Sequence, residues 1–552
     1  MKKHITLLLC LLLTSCNIIN NSSVNSTSSS INSSVSNSTS TILSSSTSSN
    51  SSSISSSSIS SSSISSSSHS SVNKNDNITR ELHLLATNDF HGSIEENGSE
   101  LGLLRYGTFF KNKRKEDNTL ILNSGDMWQG SILSNSNRGE FLTKVMNNIG
   151  FDCFTLGNHE FDWSTKYIKQ NKALYDIDTN YQTPFLCANL YNYDLENNIV
   201  LDQASDIASS YTIKELENGL KVGIIGVIGE KQITSITSNY VDNYTFVNPT
   251  NVIKDLSNEL KVNQNCDVVI VDAHTSFDQI DTSITDISPI SNKRYTDAVF
   301  CAHSHQYEKY LINNVPFIQA SCNGQSYGEI NLSITNGEIS LINYSSHEND
   351  VSEITSIKNY DEDLVSLYNQ YNTQEIQDIA NETLGNFNGY MTNSCSSTIS
   401  FPNLVATAIA KEALNQGYDI DFSLVNKSRS SINKGDLTYS SLYKALPFDN
   451  EILVIEAKGN EIYNQANYSS VYNVNAISLD QNKTYKVAVL DYIALHRNVY
   501  RKYDYFSSHK LIGSLTNNNE IYNYRDITAN YIRKNKKINY KDYSKLDSHY
   551  NV

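Results

Sequence analysis

Five short apolar runs in this chain each end in side chains of the kind that bind metal ions. Leu82 to Thr87 runs into Asn88-Asp89-Phe90-His91-Gly92, and Leu120-Ile121-Leu122 into Asn123-Ser124-Gly125-Asp126. Phe151 to Thr155 precedes Gly157-Asn158-His159-Glu160-Phe161-Asp162. Asp267 to Val271 leads to Asp272-Ala273-His274, and Asp297 to Phe300 leads to Ala302-His303-Ser304-His305. The runs have strand length and β-branched or aromatic content. α/β folds place their ligands beyond the carboxyl ends of such strands. Any single His or Asp here reads more plainly as a surface or structural residue, but five runs in order point to one site. Asp, His and Asn are hard to borderline donors that suit Mn, Zn, Fe or Co, not a thiolate site. Two divalent ions roughly 3.5–4 Å apart on a shared carboxylate activate water and neutralise phosphate charge. The three-residue spacing from His159 to Asp162 lets those side chains meet across a turn.

Taken together, Asp89-x-His91, Gly125-Asp126, Gly157-Asn158-His159-Glu160-Phe161-Asp162, His274 and His303-x-His305 resemble the calcineurin-like metallophosphoesterases. Asn123 to Ser131 (NSGDMWQGS) and Asn158-His159-Glu160-Phe161-Asp162 narrow the resemblance to the 5′-nucleotidase family. That family includes bacterial UDP-sugar hydrolases and cyclic-nucleotide phosphodiesterases. The resemblance is dense from Leu82 to about Ser333 and thinner beyond. It implies one metal on Asp89, His91, Asp126 and His305, and a second on Asp126, Asn158, His274 and His303. It implies that His159 stabilises the transition state or protonates the leaving oxygen, with Asp162 orienting the ring. Ala302 stands where the family usually has Gly, and Ala tolerates only part of the glycine backbone range. Asn189 is matched in the family with a structural role, and Cys301 beside the site reads as packing.

These residues need a scaffold of alternating strands and helices from Glu81 to about Asn349. Phe141, Leu142, Val145, Met146 and Ile149 keep helical spacing, with Gly150 just past the end. Further strands are predicted at Lys221–Val227 and Glu329–Leu332. A charged, Gly-free stretch from Ile354 to about Asp378 reads as a connecting helix. Beyond it a helix is expected near Asn403–Gln416, with strands at Asp419–Val425 and Glu451–Ala457. By resemblance the fold is α/β, a four-layer metallophosphoesterase sandwich followed by a smaller α/β C-terminal substrate-binding domain. The expected boundaries are a signal peptide 1–15, a tether 16–80, the metallophosphoesterase domain 81–352, a connector 353–378 and the C-terminal domain 379–552.

In the family the second domain closes over the metals, supplies arginines for phosphate and sandwiches the base between two rings. Leu446-Pro447-Phe448-Asp449-Asn450 matches its Leu-Pro-Phe stretch, which makes Phe448 the first stacking ring. Asp491-Tyr492-Ile493-Ala494 fits the second, making Tyr492 its partner. The Gly-Gly-Asp that usually follows is replaced by His496-Arg497-Asn498, which puts Asn498 at a substrate position. Upstream, Asn426-Lys427-Ser428-Arg429 is two residues shorter than the family pattern; Arg429 and Asn426 are retained as substrate contacts. No arginine lies between Asn381 and Asp421, so Lys427 or Arg497 is left to supply that charge, and a lysine lacks the bidentate fork.

The 552-residue chain has a formal charge of −16 and no basic stripe, which argues against nucleic-acid wrapping. Lys2 and Lys3 precede an apolar stretch Ile5–Leu13, too short to span a bilayer. Leu13-Thr14-Ser15-Cys16 resembles a bacterial lipobox, which implies lipidation at Cys16 and a lipid-anchored protein on the extracytoplasmic cell surface. From Asn17 to about Asn77 the chain is nearly all Ser, Asn and Thr, a composition that reads as a flexible tether. Six cysteines remain after Cys10 and Cys16, mostly in apolar runs, and buried free thiols are expected. The predicted activity is extracellular hydrolysis of nucleotide phosphomonoesters with two divalent ions of Mn, Zn, Co or Fe type. The alternatives are a 2′,3′-cyclic-nucleotide phosphodiesterase or UDP-sugar hydrolase, or a surface-binding lipoprotein with an altered second domain. Expected partners are the nucleotide and, through the anchor, the membrane.

Overall fold

The computed structural model describes residues 78–494, 506 and 509–550. Cys16, the signal, most of the tether, Arg497 and Asn498 lie outside the described residues. Among the described residues no helix is long and apolar enough to cross a membrane.

Each of the five apolar runs forms a strand: Thr79–Thr87, Thr119–Asn123, Cys153–Thr155, Val268–His274 and Ala298–Phe300. They sit in two six-stranded sheets. In the first, Thr79–Thr87, Thr119–Asn123, Cys153–Thr155 and Phe185–Leu186 run parallel in that order. Gly328–Thr335 and Glu338–Ser345 extend this sheet antiparallel beyond Thr79–Thr87. In the second, Val268–His274 runs parallel between Lys221–Ile228 and Ala298–Phe300.

The two-residue period of the strands builds the layers. Leu82, Leu84, Leu120 and Leu122 of the first sheet meet Val222, Ile224, Val268 and Ile270 of the second. The alternate residues Leu85, Ile121 and Phe154 face a helix, Glu140–Ile149, and pack with its Phe141, Leu142, Val145 and Met146. Gly150 ends that helix in the left-handed conformation predicted for it, at φ +86°. On the far side Val269, Val271 and Val299 pack with Ile253 and Leu260. Both faces of each central strand are therefore buried, which is why the runs read as continuously apolar instead of alternating. The result is helix, sheet, sheet, helix.

The single connecting helix expected over 353–378 is corrected: the segment holds Ser352–Thr355, Glu362–Tyr371 and Gln374–Asn381. Two polar side chains divide it. Asp361 accepts from the backbone of Asp363 and Leu364, and Thr373 from Ile376, so each caps a new helix.

The second lobe is built on a five-stranded sheet in the order Ser470–Asn473, Phe422–Val425, Thr484–Leu490, Ile452–Lys458, Lys510–Ser514. Helices Phe401–Asn415 and Tyr524–Asn535 contribute to its core. The segment that carries Phe448 is an irregular turn between a helix, Tyr439–Ala445, and the strand Ile452–Lys458.

Candidate active site

Five of the seven ligand candidates leave their strands through left-handed turns, while His274 ends a strand and Asn158 has right-handed backbone. Asp89, His91, Asp126, His303 and His305 have φ of +48°, +49°, +53°, +74° and +59°. Side chains other than glycine visit this region at an energetic penalty, and such residues gather at functional sites. Here the sharp turns fold five ligand candidates back toward one point. At Gly157 a side chain would collide with the Asp126 carboxylate, so only glycine fits there. The left-handed residues of the last turn are His303 and His305 and not Ala302, so the missing family glycine is no obstacle.

Two clusters result: Asp89, His91 and His305, and Asp126, His274 and His303. His305 Nε2 lies 3.3 Å from Asp89 Oδ1, and His91 Nε2 lies 3.0 Å from His305 Nε2. Asp126 Oδ2 lies 3.2 Å from His274 Nε2 and 3.9 Å from His91 Nε2, so one carboxylate oxygen faces both clusters. Asn158 Oδ1 is 3.2 Å from His274 Nε2, while its buried Nδ2 has no partner among the described residues. His274 Nδ1 donates to Ser124 O at 2.8 Å and His91 Nδ1 to Gln129 O at 3.1 Å. These backbone contacts leave Nε2 of each ring aimed at the centre, as outer partners of metal-bound histidines do.

The electrostatics fit a pair of cations. Burial disfavours charge on Asp89, yet the His305 hydrogen bond and His274 hold its pKa at about 2. Asp126 is pushed well below the carboxylate range against its burial, chiefly by His274 and His159. Burial lowers His274 and His305, but Asp126 raises the first to about 9 and Asp89 the second to about 10. Burial together with a neighbouring charged histidine pulls His303 down to about 4 and His91 well below the usual range. Without metal, then, His274 and His305 carry an extra proton each, His303 and His91 stay neutral, and both carboxylates are ionised. Carboxylate, imidazole and amide oxygen donors converging around two positive charges match divalent ions.

His159 stands beside this centre with Nε2 4.0 Å from Asp126 Oδ2, and its Nδ1 meets Asp162 Oδ2 at 2.8 Å. Arg429 Nη2 lies 2.6 Å from His159 Nε2. A guanidinium only donates, so Nε2 accepts and Nδ1 carries the proton given to Asp162. The Phe448 ring stacks on His159 with centroids 5.4 Å apart, and the Arg429 guanidinium lies 5.3 Å from the Phe448 centroid. Asn426, Lys427 and Tyr492 line the same cleft, and the Tyr492 hydroxyl reaches Thr234 O at 3.5 Å. Asn189 is buried and bonded to the backbone of Ile228 and Val247, a structural role. The six described cysteines are free thiols, with Cys301 in the core and Cys322 alone partly exposed.

Sequence reasoning missed three kinds of residue. Glu160 is buried and accepts from the backbone N–H groups of Asp126, Met127, Trp128 and Gly157 at 2.8–3.3 Å. It thus pins the turn that presents Asp126, while burial and the Asp126 charge raise its pKa to about 7. Its signal was present in the Asn158–Asp162 run. Asp272, buried in a strand, accepts from Ser124 Oγ at 2.5 Å and Thr155 Oγ1 at 2.6 Å and ties three strand ends together. Trp163 and Tyr240 line the cleft without any local pattern to mark them, and Asn450 and Asp491 line it from inside the two matched stretches without having been assigned a role.

Residues 82–307 match the calcineurin-like phosphoesterase family, and residues 378–467 match the 5′-nucleotidase C-terminal domain. Endonuclease YhcR of Bacillus subtilis is 26% identical over 69% of this chain and 32% of its own length. Cell wall protein Lmo0130 of Listeria monocytogenes is 25% identical over 72% of this chain and 57% of its own. The chain thus spans about a third of one of these relatives and just over half of the other. A 5′-nucleotidase precursor from Thermus thermophilus shares the fold with a TM-score of 0.63 at 17% identity, covering 85% of this chain and 99% of that one.

Proposed function

Because the chain belongs to the 5′-nucleotidase family, joining a calcineurin-like phosphoesterase domain to a 5′-nucleotidase C-terminal domain, we propose that this phosphoester hydrolase cleaves nucleotide phosphomonoesters to nucleoside and phosphate. One observation carries the reading: Asp126 Oδ2 faces His91, His274 and His159 at once, and His159 lines a cleft together with Asn158, His303 and Phe448. Asp89, His91, Asp126 and His305 would hold one divalent ion, and Asp126, Asn158, His274 and His303 a second. When bound, such ions activate water and draw off charge developing on a phosphate. Arg429 is placed to leave His159 and take a phosphate oxygen through its planar fork. Once Arg429 has withdrawn, His159 takes a proton from solvent at Nε2 and gives it to the departing ribose oxygen, while the Asp162 carboxylate steadies the charged ring. Phe448 and Tyr492 supply faces for the base.

The test is phosphate release by the full chain with Mn or Zn. Substrates are AMP, other mononucleotides, a 2′,3′-cyclic nucleotide, UDP-glucose and 4-nitrophenyl phosphate, each with and without chelator. Preference for mononucleotides supports the reading; turnover of the aryl phosphate alone overturns its nucleotide part, and activity indifferent to chelator overturns its metal part. A diesterase activity within the same chemistry is favoured by the similarity to endonuclease YhcR, and the cyclic nucleotide tests it. We place the enzyme outside the cell on a lipid anchor at Cys16. Metabolic labelling with an alkyne fatty acid should mark the wild type and not Cys16→Ser; equal labelling removes the anchor from the proposal.

A further inference from the structure

Phe448 is the ring that caps the cleft, yet it sits on a turn with no regular structure. Three side chains hold that turn. Arg525, on the helix Tyr524–Asn535 of the same lobe, is buried. Its Nη1 donates to the carbonyls of Leu446 and Pro447 at 3.1 Å and of Phe448 at 3.0 Å. Its Nη2 donates to Asp449 Oδ1 at 2.6 Å, and its guanidinium carbon lies 3.8 Å from the Tyr443 ring centroid. The other two come from the metal-binding lobe. Asn135 Nδ2 donates to Pro447 O at 3.1 Å, and Arg138 Nη1 pairs with the second oxygen of Asp449, Oδ2. Arg138 itself is held in the left-handed conformation at φ +54°, with its guanidinium 5.2 Å from the ring of Trp163, a wall of the cleft.

We propose that Asp449, shared between Arg525 of its own lobe and Arg138 of the opposite lobe, is a latch that sets the Phe448 ring over the cleft, making Arg138 a positioning residue for nucleoside recognition. The two halves differ in kind. Arg525 is 5% exposed and spends its donors on three backbone carbonyls, so it is a fixed part of the second lobe. Arg138 and Asp449 are 25% and 23% exposed, so water replaces that pair readily when the lobes separate. With the lobes together, the two guanidinium groups use both oxygens of the carboxylate, and the turn loses its freedom to swing. A ring fixed before substrate arrives gains affinity by cutting the ordering cost of binding. The latch touches neither cluster of ligand candidates, so it acts on the nucleoside half of the substrate and not on the phosphate.

The proposal rests on the nucleotidase reading. The experiment is steady-state kinetics of wild type, Arg138→Gln, Arg138→Lys, Asp449→Asn and the Arg138→Gln/Asp449→Asn double variant on AMP and 4-nitrophenyl phosphate. Arg138→Gln should lower the ratio of kcat/KM for AMP to that for the aryl ester by about tenfold, through KM, since uniform binding is what is lost. Arg138→Lys, keeping the charge, should recover part of that ratio. The double variant should be no worse than Asp449→Asn, the mark of a shared interaction. An unchanged ratio in Arg138→Gln, or strictly additive variants, overturns the latch alone. A wild type that does not prefer AMP overturns the nucleotidase reading and the latch with it.

Discussion

The two ends of the cleft are held by opposite means. At the metal end, side chains sit at the tips of buried strands, on left-handed turns, tied by backbone hydrogen bonds such as those converging on Glu160. At the end we propose for nucleoside recognition, Phe448 rides on an irregular turn fixed by long arginine side chains from two lobes. Phosphate chemistry needs atoms held within fractions of an ångström and so uses the stiffest part of the fold. Recognition of a nucleoside tolerates a movable wall, and loops supply it.

If this contrast is right, damage at the metal end should be indifferent to what the phosphate is attached to. Asp126→Asn removes the carboxylate that faces both clusters, and turnover of AMP and of 4-nitrophenyl phosphate should fall together by about 10³-fold. A variant that lost AMP activity while keeping the aryl ester would erase the distinction between the two ends. His159→Ala lies on the border between them. It should cost about 10²-fold with AMP, whose alkoxide leaving group needs a proton, and much less with 4-nitrophenyl phosphate, whose leaving group does not. Metal content measured by atomic absorption should be unchanged. Equal losses on both esters would move His159 from proton donor to structural support.

The difference between the ends also decides what could be read from sequence. The five strands and their ligand candidates were legible because buried parallel strands need apolar runs and the site needs polar residues where those runs stop. Gly150 was legible for the same reason: one residue type fits the left-handed helix end. The connector was misread because the caps Asp361 and Thr373 look like ordinary polar residues inside a helical pattern. Arg138, Arg525 and Trp163 carried no local signal at all. The two arginines take their meaning from meeting Asp449 across separations of several hundred and of seventy-six residues, which no short spacing records. Phe448 and Tyr492 could be placed only by resemblance, and Asn498 falls outside the described residues.

Protons sharpen the comparison on the metal side. In the metal-free protein His274 and His305, with pKa values of about 9 and 10, are charged at neutral pH. Binding must expel those protons, because a metal ligand has to be deprotonated. Each ion's apparent affinity should therefore fall about tenfold for each pH unit below about 9, and level off above about 10. Calorimetric titration of the apoprotein with Zn or Mn in buffers of different ionisation enthalpy should show about two protons released at pH 7 when both sites fill. Proton release near zero would mean that the rings are already neutral and that the clusters are not poised as described.

The smallest effect belongs to the recognition end and falls in a lower pH range. Burial alone would raise Asp449, but Arg525 and Arg138 overcome it and hold the carboxyl at about 2 against an ordinary 3.8. Because the folded value lies below the unfolded one, the stabilisation is complete above about pH 4 and is lost as pH falls through about 2. That shift corresponds to about 2 kcal/mol at pH 5, falling to about 1 kcal/mol at pH 3. Urea unfolding of wild type and Asp449→Asn should show their difference shrinking by that amount over this interval. Arg138→Gln should retain part of the dependence, since Arg525 stays in place, and a dependence that is wholly kept would show that the carboxylate is governed by its own lobe. A pH-independent difference would mean that Asp449 is not the charged centre of the turn, and the contrast between a rigid chemical end and an arginine-held recognition end would lose its electrostatic half.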